Sequence, residues 1–475
     1  DFERIWKYRY GRCEDICMDA KVSNDIVISA KTPNILLWCN ENLIIDNPEY
    51  VKKIRMRKWV GNTPSKLHLY SVQGNEVHIP FGCFQKLYKI YGSRLDWKSL
   101  FKPLSHLEYK VNVNLYSYQE KAVKSILRQK NGVLVMPCGS GKTNCGLVAI
   151  SRIGGKALWL THTQDLLNQS MDRAKSILEI DGTYGKITAG KIDIGTHITF
   201  ATVQTMCKID ISQYKDYWDI IIVDECAHAA GSPTRVTQFY KVLSSLSARY
   251  KIGLTATPKR ADGLEKSMFA LLGDIVHEVP KAEVEQFTCP VKVMTVETGY
   301  EPDYNAVLMG DGTLNYAELI NDLTNNQERF KTVLNYINNI GKSVLILASR
   351  VEYLQNLNAE FSGKSICLSG MGQSKKAKAE RKETLQKLND GKLDAVFASY
   401  QLAAEGLDVP NLQYVVLATP EKDPTRVQQS TGRVGRKAEG KTIGTVIDFV
   451  DNFGMYRGWH KKRLSLYKKL GYEVE

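Results

Sequence analysis

The chain has 475 residues, 43% of them apolar and 24% charged, with a net charge of +13 and a pI near 9.0. That composition excludes collagen-like, low-complexity and disordered classes, and no apolar run approaches the length of a bilayer-spanning helix. The length suits two to four domains, and the basic balance points to a polyanionic partner. Residues 1–30 carry no signal-peptide core, and the chain opens on Asp1 rather than an initiator methionine, as a trimmed chain would. Of ten scattered cysteines only Cys13 and Cys17 lie close together. With no second pair or histidine cluster nearby, a zinc site is not expected, and a reducing cytoplasm is the natural compartment.

Residues 1–107 are expected to form a small α+β domain, with β-leaning segments at Asp25–Ala30, Ile35–Cys39 and Leu67–Val72. Turn chemistry is supplied at 62–64 and 73–75. Charge is uneven within it: residues 51–107 hold eleven Lys/Arg against two Asp/Glu, whereas residues 1–50 hold six against nine. Arg55, Arg57, Lys58, Lys66, Lys86, Lys89, Arg94 and Lys98 are interleaved with Trp59, Tyr70, Phe84, Tyr88, Tyr91 and Trp97. Cations of this kind neutralise phosphates, and aromatic rings either stack on bases or build the domain's own core.

From residue 131 short apolar strands alternate with helical patterns: Gly132–Val135, Ala157–Leu160, Ile198–Ala201, Ile220–Val223 and Ile252–Leu254. A second series follows at Ser343–Ala348, Ser365–Leu368, Ala395–Ala398, Tyr414–Leu417 and Thr442–Ile447. Such βα alternation predicts an α/β fold of two tandem parallel sheets, each covered by helices, over residues 108–285 and 286–455. Residues 283–323 connect them through one strand and a hairpin-like turn at Met309–Gly312, with a helix over Asn326–Ile340. Residues 456–475 close the chain with a basic helix over Arg457–Lys469.

Chemistry is concentrated at the ends of these strands. Pro137, Cys138, Gly139, Ser140, Gly141, Lys142 and Thr143 form a glycine-rich loop between a strand and a helix. Glycines let backbone N–H groups approach phosphate oxygens, and the helix points its positive end at the same anion. Lys142 would reach the β- and γ-phosphates of ATP, and Thr143 would hold Mg²⁺. Met136 stands where the first glycine of G-x-x-x-x-G-K-[ST] is usual.

Ile220–Val223 runs into Asp224 and Glu225, which suit a Mg²⁺ ligand and a group that orients or deprotonates the attacking water. The usual D-E-x-H spacing is broken by Ala227, with His228 one place later, so coupling to motion would pass through His228, Thr255 and Thr257. Upstream, Tyr118 and Gln119 suit an adenine edge. In the second series, Gln429, Arg433 and Arg436 are expected on one helix, its two arginines on one face and directed at a γ-phosphate. Gly406 and Asp408 would line the same cleft. Thr161, His162, Thr202, Gln204 and Arg350 sit after successive strands, where they serve either as donors to a strand's phosphates or as helix caps.

In this order and spacing the motifs resemble the superfamily 2 helicases and translocases over roughly residues 110–450. The closer similarity is to phage and mobile-element helicases of the UvsW-like type, related to the XPB and restriction-motor branch. It is carried by 224–226, 253–263 and 400–408. The resemblance implies two RecA-like domains clamping ATP and Mg²⁺, and a motor that walks on DNA and remodels branched structures or R-loops, in the host cytoplasm if phage-encoded. Three alternatives stay open: an RNA-directed helicase or transcript-release factor, a motor subunit of a restriction system, and an annealing protein with a degenerate motor.

Overall fold

In a computed structural model, the described residues are 18–475 without 138, 189, 230–232, 259–264, 286, 310–312, 370–374 and 405–408. They form two compact units: one holds the described residues up to Pro137 with Gly141–Pro280, the other Gly139, Ser140 and the described residues of Lys281–Glu475. Among the described residues no helix is long and apolar enough to cross a membrane.

The N-terminal part of the first unit is a five-stranded sheet in the order Ser71–Gln73, Glu76–Pro80, Asp25–Ile28, Met18–Val22, Leu95–Ser99. One expectation fails here: Ile35–Cys39 is not a strand but the middle of the helix Pro33–Asn42. Thr32 caps that helix, accepting the Ile35 N–H at 3.3 Å, and Pro33 opens its first turn. Those start signals, with Ile35, Trp38 and Cys39 buried at helical spacing, outweigh the apolar run. The segment 67–72 is likewise split between Lys66–His68 and Ser71–Gln73, which belong to different sheets.

This sheet shares one apolar core with the strands and helices that follow it: Ile26, Ile28, Phe81 and Leu87 pack in the same cluster as Met268, Leu271 and Leu272. A Cβ on Gly82 would lie 2.4 Å from the Gly273 backbone nitrogen, so the two segments touch main chain to main chain. Lys86 pairs with Asp274 at 2.7 Å, and the Tyr240 hydroxyl donates to Leu69 O at 3.1 Å. Lys251 is the unusual member of the contact. Its ammonium is wholly buried, donating to Leu243 O at 2.9 Å and Asn24 O at 3.4 Å, 5.3 Å from the centre of the Phe81 ring.

Burial pushes the Lys251 amine down to about 7, against a smaller opposing pull from Asp25. Between pH 7 and its ordinary value near 10, the unfolded chain holds this proton and the folded chain does not. Stability from this group therefore rises with pH across that window and is lost as pH falls through 7. Replacing Lys251 by Met should remove that slope. The difference in unfolding free energy between wild type and variant should grow by on the order of 1–4 kcal/mol from pH 7 to 10, read from denaturant titrations at each pH.

The main sheet of this unit has eight strands in the order Lys191–Asp193, Tyr184–Thr188, Ile198–Thr202, Ala157–Thr161, Ile220–Asp224, Tyr250–Thr255, Asn131–Val135, Ile275–Glu278. All its neighbours run parallel except the first pair. The central strands are buried from end to end, which is why they read as continuous apolar runs. Parallel register sets Thr161 beside Thr202, Asp224 beside Leu254 and Thr255 beside Val135. Loops distant in sequence thus leave the sheet at one edge.

The second unit is a seven-stranded, all-parallel sheet ordered Ser365–Cys367, Ala395–Ser399, Val344–Ala348, Tyr414–Leu417, Gly444–Val450, Val291–Glu297, Glu473–Val474. Both predicted series of strands are therefore present. Asn326 caps the helix Gln327–Asn339, accepting the Arg329 N–H at 2.9 Å. Beside the expected hairpin turn, Leu308 bridges Leu314, and Met309 N–H donates to Thr313 O at 2.8 Å; the turn's tip, 310–312, lies outside the described residues. The C-terminal helix Gly454–Lys469 is more than a basic surface element. It buries Arg463 on Asp448 through two 2.8 Å hydrogen bonds and Tyr467 on the same carboxylate at 3.0 Å.

Candidate functional site

The strand Asn131–Val135 leads through the glycine loop into the helix Lys142–Ile153, whose N-cap, Gly141, offers no side chain. Gly139 and Gly141 have φ of +78° and +82°, a region open to glycine and strained for other residues. At Gly141 space is also closed: a Cβ there would lie 2.4 Å from the Gln119 amide nitrogen. Gln119 is itself buried, and its Oε1 accepts the Tyr116 N–H at 2.9 Å. Tyr118 is buried and stacked on Tyr116, ring centres 5.9 Å apart, and burial raises its hydroxyl to about 12. Gln119 is thus built against the phosphate loop, 23 residues upstream of Lys142.

Lys142, nearly buried, places its ammonium 3.4 Å from Glu225 Oε1. Asp224, 3% exposed, ends the strand Ile220–Asp224; its Oδ1 accepts the Glu225 N–H at 3.0 Å. Burial, then repulsion from Glu225, raises the Asp224 carboxyl to about 7, with Lys142 pulling the other way. Glu225 has φ +49°, an uncommon conformation for a residue with a side chain. The strand ends and the loop thus bring Lys142, Asp224 and Glu225 together. Thr143 lies beside Lys142 in the first helical turn, partly exposed.

Two residues joined to this cluster were not singled out from the sequence. Ser170 and Arg173 are three apart on the helix Gln164–Ile177, and so share a face. Buried Ser170 donates to Asp224 Oδ2 at 3.3 Å, and Arg173 Nε donates to Asn144 Oδ1 at 2.8 Å. A serine inside an amphipathic helix gives no sequence signal beyond its place on the apolar face.

Several expected strand contacts are placed differently. Thr161 is fully buried and donates its hydroxyl to Thr163 O at 2.9 Å, so its side chain is not offered to a strand. Thr202 is buried as the cap of the helix Val203–Met206, accepting the Thr205 N–H at 3.3 Å. His162 is partly exposed, and Gln204 Nε2 donates to its carbonyl at 3.1 Å, tying the two loops together. Thr255 is buried, its Oγ1 accepting the Thr257 N–H at 3.2 Å. Ala227 is buried in the helix Cys226–Ala229. Cys138, Gly406, Asp408 and the side chain of His228 lie outside the described residues.

In the second unit, Arg350 donates from Nε to Asn321 Oδ1 at 3.0 Å and from Nη2 to Ala317 O at 3.2 Å. Gln429 is partly exposed on the helix Pro424–Thr431. Arg433 and Arg436 do not share a helical face, because that helix stops at Thr431. Gly432 and Gly435 interrupt it, and the chain is drawn into an antiparallel bridge between Arg436 and Thr288, with Cys289 N–H donating to Gly435 O at 2.9 Å. Arg433 is buried and donates to Ala403 O. In Arg55, Arg57 and Lys58, at the end of the helix Pro48–Arg55, all three side chains are exposed.

The comparisons agree with this constellation. The family described as the res subunit of type III restriction enzymes matches residues 112–260, and the helicase conserved C-terminal domain matches 328–438. The chain belongs to the superfamily 2 helicases and is an ATP-hydrolysing enzyme of the phage, viral, XPB and restriction-motor group. It is 26% identical, over 92% of its length and 84% of the relative's, to a protein of Acanthamoeba polyphaga mimivirus named as a putative ATP-dependent RNA helicase. It is 25% identical, over 70% of its length and 81% of the relative's, to the DNA 3'-5' translocase XPB2 of Sulfurisphaera tokodaii. Among solved structures, S. cerevisiae Dbp5 bound to RNA and ADP BeF3 superposes with a TM-score of 0.53 at 16% identity, over 76% of this chain and 90% of that one. At that identity the likeness shows the tandem RecA-like fold.

Proposed function

We propose that this helicase is a DNA translocase that remodels branched DNA or R-loops. The observation that carries the motor reading is the approach of Lys142 to Glu225 beside buried Asp224, at the mouth of a loop whose backbone at 141 favours glycine. Lys142 binds the terminal phosphates of ATP, and Glu225 orients the attacking water and takes its proton. A carboxylate pair with one nearby lysine is short of positive charge, and Asp224 with the Thr143 hydroxyl fits Mg²⁺. When bound, that ion supplies neutralisation of phosphate charge. Ser170 holds the Asp224 carboxylate in place through its hydrogen bond. Arg433 and Arg436 are the cations proposed to meet the γ-phosphate as charge develops on it.

On the strand side, exposed Arg55, Arg57 and Lys58, with the partly exposed residues His162, Gln204 and Arg350, are proposed to meet backbone phosphates. Thr202 enters only through its loop, and Thr255, Thr257 and His228 are kept as the link between hydrolysis and movement. DNA is favoured by the similarity to the XPB2 translocase and by the restriction-enzyme family match; the mimivirus relative supports RNA as the second reading. ATPase rates with single-stranded DNA, duplex DNA, forked DNA and RNA decide between them. Forked or single-stranded DNA should stimulate most; stimulation by RNA alone would overturn the DNA assignment. The described cysteines are free thiols, in keeping with a reducing cellular interior.

A further inference from the structure

Trp59 is the most exposed large apolar side chain among the described residues, at 89%. An exposed indole in a basic segment calls for an explanation, because tryptophan is ordinarily among the better buried residues. The other aromatic residues of this region have one inside the fold. Phe84 and Trp97 meet edge to face at 5.3 Å, Tyr88 lies 5.7 Å from Trp97, Trp97 Nε1 donates to Gly92 O at 2.7 Å, and Tyr91 is buried. Tyr91 is core, Phe84 and Trp97 pack against it partly buried, and Tyr88, 50% exposed, lies on them. Trp59 stands apart from them.

One part of its ring lies over the backbone at residue 61. Gly61 has φ +53°, and the site of its missing Cβ lies 3.0–3.4 Å from three carbons of the indole six-membered ring. The ring therefore rests against a backbone conformation that favours glycine. Beside it opens a cavity of about 640 Å³, whose lining includes Trp59, Asn62, Thr63, Leu67 and the ion pair Lys53–Glu49, 3.1 Å apart. Just before Trp59 in the chain, the cations Arg55, Arg57 and Lys58 are exposed, as are the apolar side chains of Ile54 and Met56, each 53% exposed. A flat aromatic face, a recess roomy enough to admit a base and exposed cations on the adjoining chain are the three parts of a single-strand stacking site.

We propose that Trp59 stacks on an unpaired base of a single-stranded nucleic acid whose backbone runs over Arg55, Arg57 and Lys58. Stacking is sequence-tolerant, since every base presents a π-face, so the site would grip any unwound strand rather than read one. The inference rests on the nucleic-acid reading above and adds the ligand group, an unstacked base.

Fluorescence anisotropy of labelled strands across a salt series tests it on the full chain, with oligo-dT, oligo-rU and an abasic oligomer of equal length. Trp59→Ala should weaken binding of dT, of rU or of both about tenfold without changing the salt slope, because no phosphate contact is removed. Trp59→Phe should restore most of that loss, and the abasic strand should bind wild type and Trp59→Ala equally. Reversing Arg55, Arg57 and Lys58 to Glu should instead flatten the salt slope. Because the side chain is exposed, Trp59→Ala should keep the wild-type melting temperature. Base-containing strands bound equally by wild type and Trp59→Ala would overturn the stacking proposal alone. A wild type that binds no strand would overturn the nucleic-acid reading beneath it.

Discussion

Glu225→Gln should lower ATP turnover by about 10²–10⁴-fold while leaving nucleotide binding intact. Glutamine keeps the size and hydrogen-bonding reach of glutamate but cannot accept a proton from water. It also removes the negative partner of Lys142, 3.4 Å away, and one source of the repulsion that raises Asp224. ATP affinity should therefore hold or tighten, since Lys142 is released to the phosphates. Lys142→Ala should behave in the opposite way, losing affinity as well as turnover. Single-turnover hydrolysis and nucleotide titration of both variants separate these effects. Turnover by Glu225→Gln equal to wild type would remove Glu225 from the chemistry. The backbone supports its assignment: a φ of +49° costs about 1–3 kcal/mol in a residue with a side chain, and such strain clusters where geometry serves function.

The parts of this site that are legible in the sequence are those carried by contiguous residues. The glycine loop follows a buried strand and opens a helix, and Asp224 and Glu225 end an apolar run, so both are visible as local patterns. Parallel register then places them at one sheet edge, which their separation of some eighty residues conceals but βα alternation implies. Local pattern fails where tertiary partners decide. Thr161 and Thr202 carry the same hydroxyl whether they cap a helix or face a strand, and only burial distinguishes the two. Arg433 and Arg436 have helical spacing, yet glycines at 432 and 435 and a bridge to Thr288 end the helix first. Ser170 is invisible because its partner, Asp224, lies 54 residues away. The N-terminal segment reads as a separate domain by composition, whereas its sheet is built into the core of the first unit through Gly82, Lys86 and buried Lys251.

Arg329→Ala should destabilise the second unit by about 3–5 kcal/mol, a large fraction of a domain's whole stability. Arg329 lies on the helix Gln327–Asn339, and its side chain and that of Asp451 are both fully buried. Its guanidinium donates from Nε to Asp451 Oδ1 at 2.6 Å and from Nη2 to Oδ2 at 3.1 Å. The remaining donors reach the Tyr353 hydroxyl at 3.0 Å and Ala418 O at 2.8 Å. Asp451 and Ala418 follow the strands Gly444–Val450 and Tyr414–Leu417, and Tyr353 lies in the helix Val351–Glu360, so one side chain joins its helix to a second helix and two strand ends. Truncation leaves the Asp451 carboxylate in an apolar interior with Thr298 as its near donor, at 2.6 Å. The penalty is that uncompensated charge rather than the worth of the pair itself. Arg329→Met with Asp451→Leu should therefore recover much of the loss, because both charges leave together. Hydrogen exchange read peptide by peptide confines the measurement to residues 281–475. Exchange should accelerate across the strands Val344–Ala348, Tyr414–Leu417 and Gly444–Val450 in Arg329→Ala and slow again in the double variant. Unchanged protection in Arg329→Ala would show that the pair does not hold this sheet to its helix.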